Sequence, residues 1–167
     1  MTFNHKYLFS SMGLISLLVM PMSIELLEGR LVTHVLIQLP LLIVVGFLIV
    51  LSFPGNWKTK INKFNDKGIS GLLIVIFSAI IWMLPRYIDL SISDPWVEFT
   101  KFISIPLLIG VPLALSWNLL GPIVKSFFIA NLLSMLVVLG WLYIHAPIRL
   151  CNNYLQQEQI LLGYIFL

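Results

Sequence analysis

Apolar residues in this chain come in long runs, and polar residues gather in short stretches between them. A membrane helix needs about 20 mostly apolar residues, so each run is read as a candidate span. The first covers residues 7–22 and ends near Pro21, before a polar stretch at 23–30. The second, residues 31–53, has no formal charge and stops at the turn signal Phe53-Pro54-Gly55-Asn56. The third runs over 69–84 and ends at Pro85-Arg86. Residues 87–99 carry Asp89, Asp94, Trp96 and Glu98, too polar to cross, and are expected to lie at the interface. A fourth span at 102–120 holds Pro106 and Pro112 and closes at Gly121-Pro122; a fifth covers 126–144. A last apolar run, 160–167, is too short to cross alone and still short if extended back to Tyr154; it is read as a short sixth helix beginning at about 154–160. The alternative is five spans and an interfacial tail. The pattern predicts an all-α, polytopic transmembrane helix bundle of five to six membrane helices, a single domain over 1–167.

Composition agrees. Hydrophobic residues make up 59% and charged residues 10%, against roughly 45–50% and about 25% in soluble proteins. A disordered chain, a disulfide scaffold and a soluble enzyme are excluded. Cys151, the lone cysteine, has no partner for an internal bridge. The net charge of +3 comes from basic residues scattered through loops, so it reports topology and no nucleic-acid partner is expected.

Alternating spans place Lys6, Lys58, Lys60, Lys63, Lys67 and Lys125 on one side, and Arg30, Arg86, Lys101 and Arg149 on the other. Basic residues favour the cytoplasmic side, which predicts a multi-pass protein of the cell (inner) membrane with a cytoplasmic amino terminus. Lys6 precedes the first run, but no small-residue cleavage pattern follows, so that run is expected to be a retained helix. Six of the seven acids (all but Asp66) fall on the outer side, together with His34, His145, Met20, Met22, Met83 and Cys151.

Groups capable of chemistry are therefore concentrated at one face. His34 and Gln38 are one helical turn apart and share a side of their span. They read either as a metal or cofactor ligand with its hydrogen-bond partner, or as an interhelical hydrogen bond that orders the bundle. Met20, Met22, Met83, His34, His145 and Cys151 include the soft and imidazole ligands suited to Cu(I), although methionine in a membrane helix is most often packing. Glu98, Glu25 and Gln38 are the polar groups placed to support such ligands. Haem between His34 and His145 is a further arrangement the placement allows. Trp57, Trp96, Tyr87, Tyr143 and Tyr154 fit interfacial belts. There is no phosphate-binding glycine loop, no His-Glu-x-x-His and no nucleophile elbow, so no enzymatic activity is expected.

In order along the chain, Pro21-Met22-Ser23-Ile24-Glu25, His34-Val35-Leu36-Ile37-Gln38, Trp82-Met83-Leu84-Pro85, Asp94-Pro95-Trp96-Val97-Glu98-Phe99 and the run from Tyr154 to Gly163 resemble the successive motifs of the CtaG family. Those membrane proteins are associated with caa3-type cytochrome c oxidase. The resemblance implies a role in biogenesis of a copper-containing respiratory oxidase, by copper handling or scaffolding at the extracytoplasmic face, with other membrane protein subunits as partners beside the lipid bilayer. It retains His34 and Glu98. Gln38, Met83, Pro95 and Phe99 stand where the family has histidines, so its histidine metal site does not carry over. This loss also fits a non-catalytic accessory subunit of a larger membrane complex.

Overall fold

The computed structural model describes residues 4–147 and 149–167, apart from the side chains of Lys58, Lys60, Asn62 and Asp66. Among the described residues the regular structure is helical throughout, with no strand. In chain order the helices are α1 (His5–Val19), α2 (Pro21–Glu28), α3 (Leu31–Ser52), α4 (Gly55–Asn62), α5 (Ile69–Met83), α6 (Pro85–Ser93), α7 (Pro95–Ser116), α8 (Pro122–His145) and α9 (Gln156–Phe166). Three of them, α3, α7 and α8, are long and apolar enough to cross a membrane. The count rises to five if α1 with α2, and α5 with α6, each form one bent span.

Proline sets most of these boundaries. Pro21, Pro85, Pro95 and Pro122 each occupy a first helical turn, where a missing N–H costs nothing. The residue before a proline is steered out of the helical region; Met20 and Leu84 are accordingly extended, with ψ of 135° and 129°. The chain bends there by 69° between α1 and α2 and by 68° between α5 and α6. Pro40 and Pro112 sit inside long helices, and each follows a π-helical turn, His34–Gln38 and Ile105–Gly110. Widening that turn relieves the clash of the proline ring with the carbonyl four residues back.

Two boundaries differ from the pattern-based expectation. Residues 23–30, read as a polar stretch, are mostly α2. The fourth span begins at Pro95 rather than 102 and ends at Ser116 rather than 120, because Asp94 caps it: its Oδ1 accepts from Trp96 N–H at 2.9 Å. The polar segment expected before the fourth span thus shrinks to α6, and Lys101 moves from the loops into a helix long and apolar enough to cross a membrane. The terminal helix α9 has eleven residues, about 16 Å at 1.5 Å per residue, half a typical bilayer core of about 30 Å.

α3 is the centre of the molecule. It packs against α1 on one side and α7 on another; α5 lies against α7, and α9 runs along α8 and touches the start of α3. α3 and α7 meet backbone to backbone at Gly46 and Gly110. A Cβ built on Gly46 would touch Pro106 O and stand 2.6 Å from Gly110 Cα, the close approach that small residues permit between membrane helices.

Candidate functional site

At one end of the bundle a polar cluster is sealed from solvent. Glu28 closes α2, His34 and Gln38 occupy the π-turn of α3, Lys101 lies two turns into α7, and Tyr154 precedes α9. His34, Gln38 and Lys101 are 0% exposed, Tyr154 3%. Lys101 Nζ donates to Glu28 Oε1 at 2.6 Å, and Gln38 Nε2 donates to the same oxygen at 2.7 Å. Two donors on one oxygen suit an ionised carboxylate, and the ammonium beside it keeps the cluster neutral overall. Ionisable groups inside a membrane bundle are rare, face the interior and pair with one another.

His34 links this ion pair to Tyr154. Its Nε2 lies 3.5 Å from Lys101 Nζ, and its Nδ1 lies 2.7 Å from the Tyr154 hydroxyl. An ammonium only donates, so Nε2 is the acceptor. The ring hydrogen then sits on Nδ1 and is donated to the Tyr154 oxygen. Both nitrogens of the imidazole are thereby engaged by the protein.

The segment between α8 and α9 holds Tyr154 in place. Arg149 donates to the Tyr154 carbonyl. Gln159 accepts from Leu150 N–H at 3.1 Å and donates to the Cys151 carbonyl at 3.3 Å. Asn153 is tied to Asp89 of α6, its backbone N–H at 2.8 Å and its side chain at 3.0 Å. Glu158 Oε2 accepts from Leu31 N–H at 2.7 Å, capping the first turn of α3, whose opening amides lack helical acceptors. Burial, and next the charge of Glu28, raise the Tyr154 phenol above its ordinary value, so it remains a neutral hydrogen-bonding group.

Of the residues singled out from sequence, His34 and Gln38 meet in this cluster, both bonded into the Glu28–Lys101 pair. Glu98 is half-buried on α7, one turn before Lys101. The others lie apart from the bonds of the cluster. Met20 and Met22, 58% and 81% exposed, flank the bend between α1 and α2, where Glu25 is also exposed. Met83 lines an apolar groove beside Trp82. His145 is exposed at the end of α8, stacked on Trp141 at 5.0 Å, with Nδ1 donating to the Trp141 carbonyl at 3.0 Å. Cys151 is fully buried, its Sγ 3.6 Å from the Pro85 carbonyl. Among the described residues no three of His, Cys, Asp and Glu gather as a metal site.

The cluster also contains groups that sequence reasoning placed elsewhere. In the sequence pattern Lys101 and Glu28 fall among the outer loops, and Tyr154 among the interfacial aromatics. A signal for Lys101 was present: Asp94-Pro95 is a cap followed by a first-turn proline, which puts Lys101 inside the helix that follows.

Cys151 gives a chemical check on this end of the molecule. Burial first, then the Asp89 carboxylate, push its thiol up to about 11. Thiolate is the reactive form. At pH 8 about one thiol in a thousand is then ionised, against roughly one in four for a free cysteine with a pKa of about 8.5. Alkylation of the folded protein by iodoacetamide at pH 8 is expected to be at least about 100-fold slower than after denaturation, and to rise roughly tenfold per pH unit. Equal rates before and after denaturation would contradict this placement of Cys151.

The chain matches no family model, no curated protein and no solved structure.

Proposed function

We propose that this chain is a membrane protein of five or six spans, with its amino terminus in the cytoplasm, that scaffolds the biogenesis of a copper-containing respiratory oxidase at the extracytoplasmic face. The observation that carries the scaffolding role is the neutral Glu28–Lys101–His34–Tyr154 cluster. It ties α2, α3, α7 and the α8–α9 segment into one rigid end, while both His34 nitrogens face protein donors and acceptors rather than an open coordination position. With Lys101 buried, the outer loops keep Arg30, Arg86 and Arg149 against six lysines inside, which strengthens the positive-inside argument for this orientation. The link to an oxidase comes from the CtaG-like order of motifs.

The test is a deletion strain of the host. Its membranes are expected to lose haem–copper oxidase activity, with no recovery in excess copper. Wild-type protein and Met83→Leu restore it, and Lys101→Met does not. Recovery on copper alone would move the role to copper handling by Met83, Met20, Met22, His145 or Cys151. An unchanged oxidase level would remove the biogenesis role.

A second reading, an accessory subunit of a larger membrane complex, is favoured by α8. Only 17% of the most apolar stretch of this 24-residue helix is buried inside the protein, so much of its surface is free for a neighbouring subunit. Native purification with a stoichiometric partner would select this reading; recovery of the chain alone would select the transient scaffold.

A further inference from the structure

α8 runs along α9 and meets the apolar core through Phe128 and Met135. Its Phe128, Leu132 and Met135 face α3, α5 and α7 across a groove of about 210 Å³. On the far side are Val35, Ala79, Trp82 and Ile109, and every residue lining the groove is apolar. Such a space does not hold water, which needs polar partners, and apolar cavities of this size take apolar ligands. A wholly apolar groove running along α8 between three other helices suits an extended hydrocarbon chain.

Charge at one end says which molecule carries that chain. Lys125 lies one turn before Phe128 on α8, its Nζ 5.3 Å from the centroid of the Trp117 ring. The same Trp117 ring meets Phe128 edge-on at 6.4 Å. A cation thus stands beyond the Phe128 end of the groove, and it has no carboxylate partner among the described residues. Cations at a bilayer surface attract anionic headgroups. We propose that the groove holds one acyl chain of an anionic phospholipid whose phosphate pairs with Lys125. The site rests on the membrane-embedded reading of the chain and on no part of the oxidase role.

Trp82, 7% exposed, lies in the groove, whereas Trp141, 59% exposed, faces outward on α8. The full chain would be reconstituted in phosphatidylcholine vesicles containing a low fraction of phosphatidylglycerol or phosphatidylcholine brominated in the acyl chains. Emission assigned by difference with Trp82→Phe is expected to be quenched about fivefold more effectively by the brominated phosphatidylglycerol. Lys125→Gln is expected to equalise the two lipids, and Ala79→Phe, which fills the groove, to abolish quenching of Trp82. Emission assigned with Trp141→Phe is quenched by either lipid in every variant. Trp82 left unquenched beside a quenched Trp141 overturns the site and leaves the membrane reading intact, as does equal quenching of Trp82 by both lipids in the unaltered chain. An unquenched Trp141 overturns the membrane reading and the site with it.

Discussion

Lys101→Met is expected to destabilise the protein by about 3–5 kcal/mol, the cost of breaking a buried ion pair by removing one partner. The cost comes from Glu28, which would remain charged and buried with only the Gln38 amide to satisfy it. Glu28→Gln is expected to fall in the same range for the converse reason: an ammonium with 0% exposure would lose its carboxylate and keep only neutral acceptors, the Phe102 ring and the more distant Glu98 charge. The double variant Glu28→Gln with Lys101→Met removes both charges and is expected to be more stable than either single variant, because a neutral replacement for a buried pair is often tolerated. A double-mutant cycle on unfolding in detergent micelles reads this directly as a coupling energy. Additive losses, or a Lys101→Met cost below about 1 kcal/mol, would mean that the pair is solvated and that the cluster does not hold α2 to α7.

The run pattern read from the sequence and the structure agree where one physical rule decides the outcome. The charge-free stretch 31–53 became α3, and residues 126–144 lie within α8, because continuous apolar sequence has few alternatives to a helix that satisfies its own backbone. Agreement fails where a local cap or a tertiary partner overrides hydropathy. By hydropathy Lys101 reads as a loop residue, since a lone cation near a span end usually marks an interface; its neutralising partner, Glu28, is 73 positions away. That separation is why the site was only half legible. His34 and Gln38 are neighbours on one turn and could be paired on paper, whereas Glu28, Lys101 and Tyr154 reach them only through the bend at Pro21, the cap at Asp94 and the folded segment before α9. The copper ligands drawn from composition had no such geometric warrant: Met20 and Met22 lie at the α1–α2 bend, and Met83, His145 and Cys151 lie in three other surroundings.

Gly46→Ala is expected to lower stability by about 1–3 kcal/mol, the usual cost of overpacking a well-filled contact, although alanine is the better helix former by up to about 1 kcal/mol. The two effects oppose each other, and geometry decides between them. The new Cβ would meet the Pro106 carbonyl and stand 2.6 and 2.8 Å from Gly110 Cα and C. These are backbone atoms that no rotamer change can move, so α3 and α7 must separate. Their separation reaches the cluster, because α3 carries His34 and Gln38 while α7 carries Lys101. The Lys101–Glu28 and Lys101–His34 contacts are expected to loosen together with the helix crossing. Gly13→Ala on α1 supplies the contrast: its Cβ would find nothing within 4 Å, so only the propensity gain remains and the unfolding midpoint should rise. Both variants would be measured by thermal unfolding in the same detergent. A rise for Gly13→Ala with a fall for Gly46→Ala is the expected pair, and a rise for both would show that α3 and α7 do not touch at their backbones.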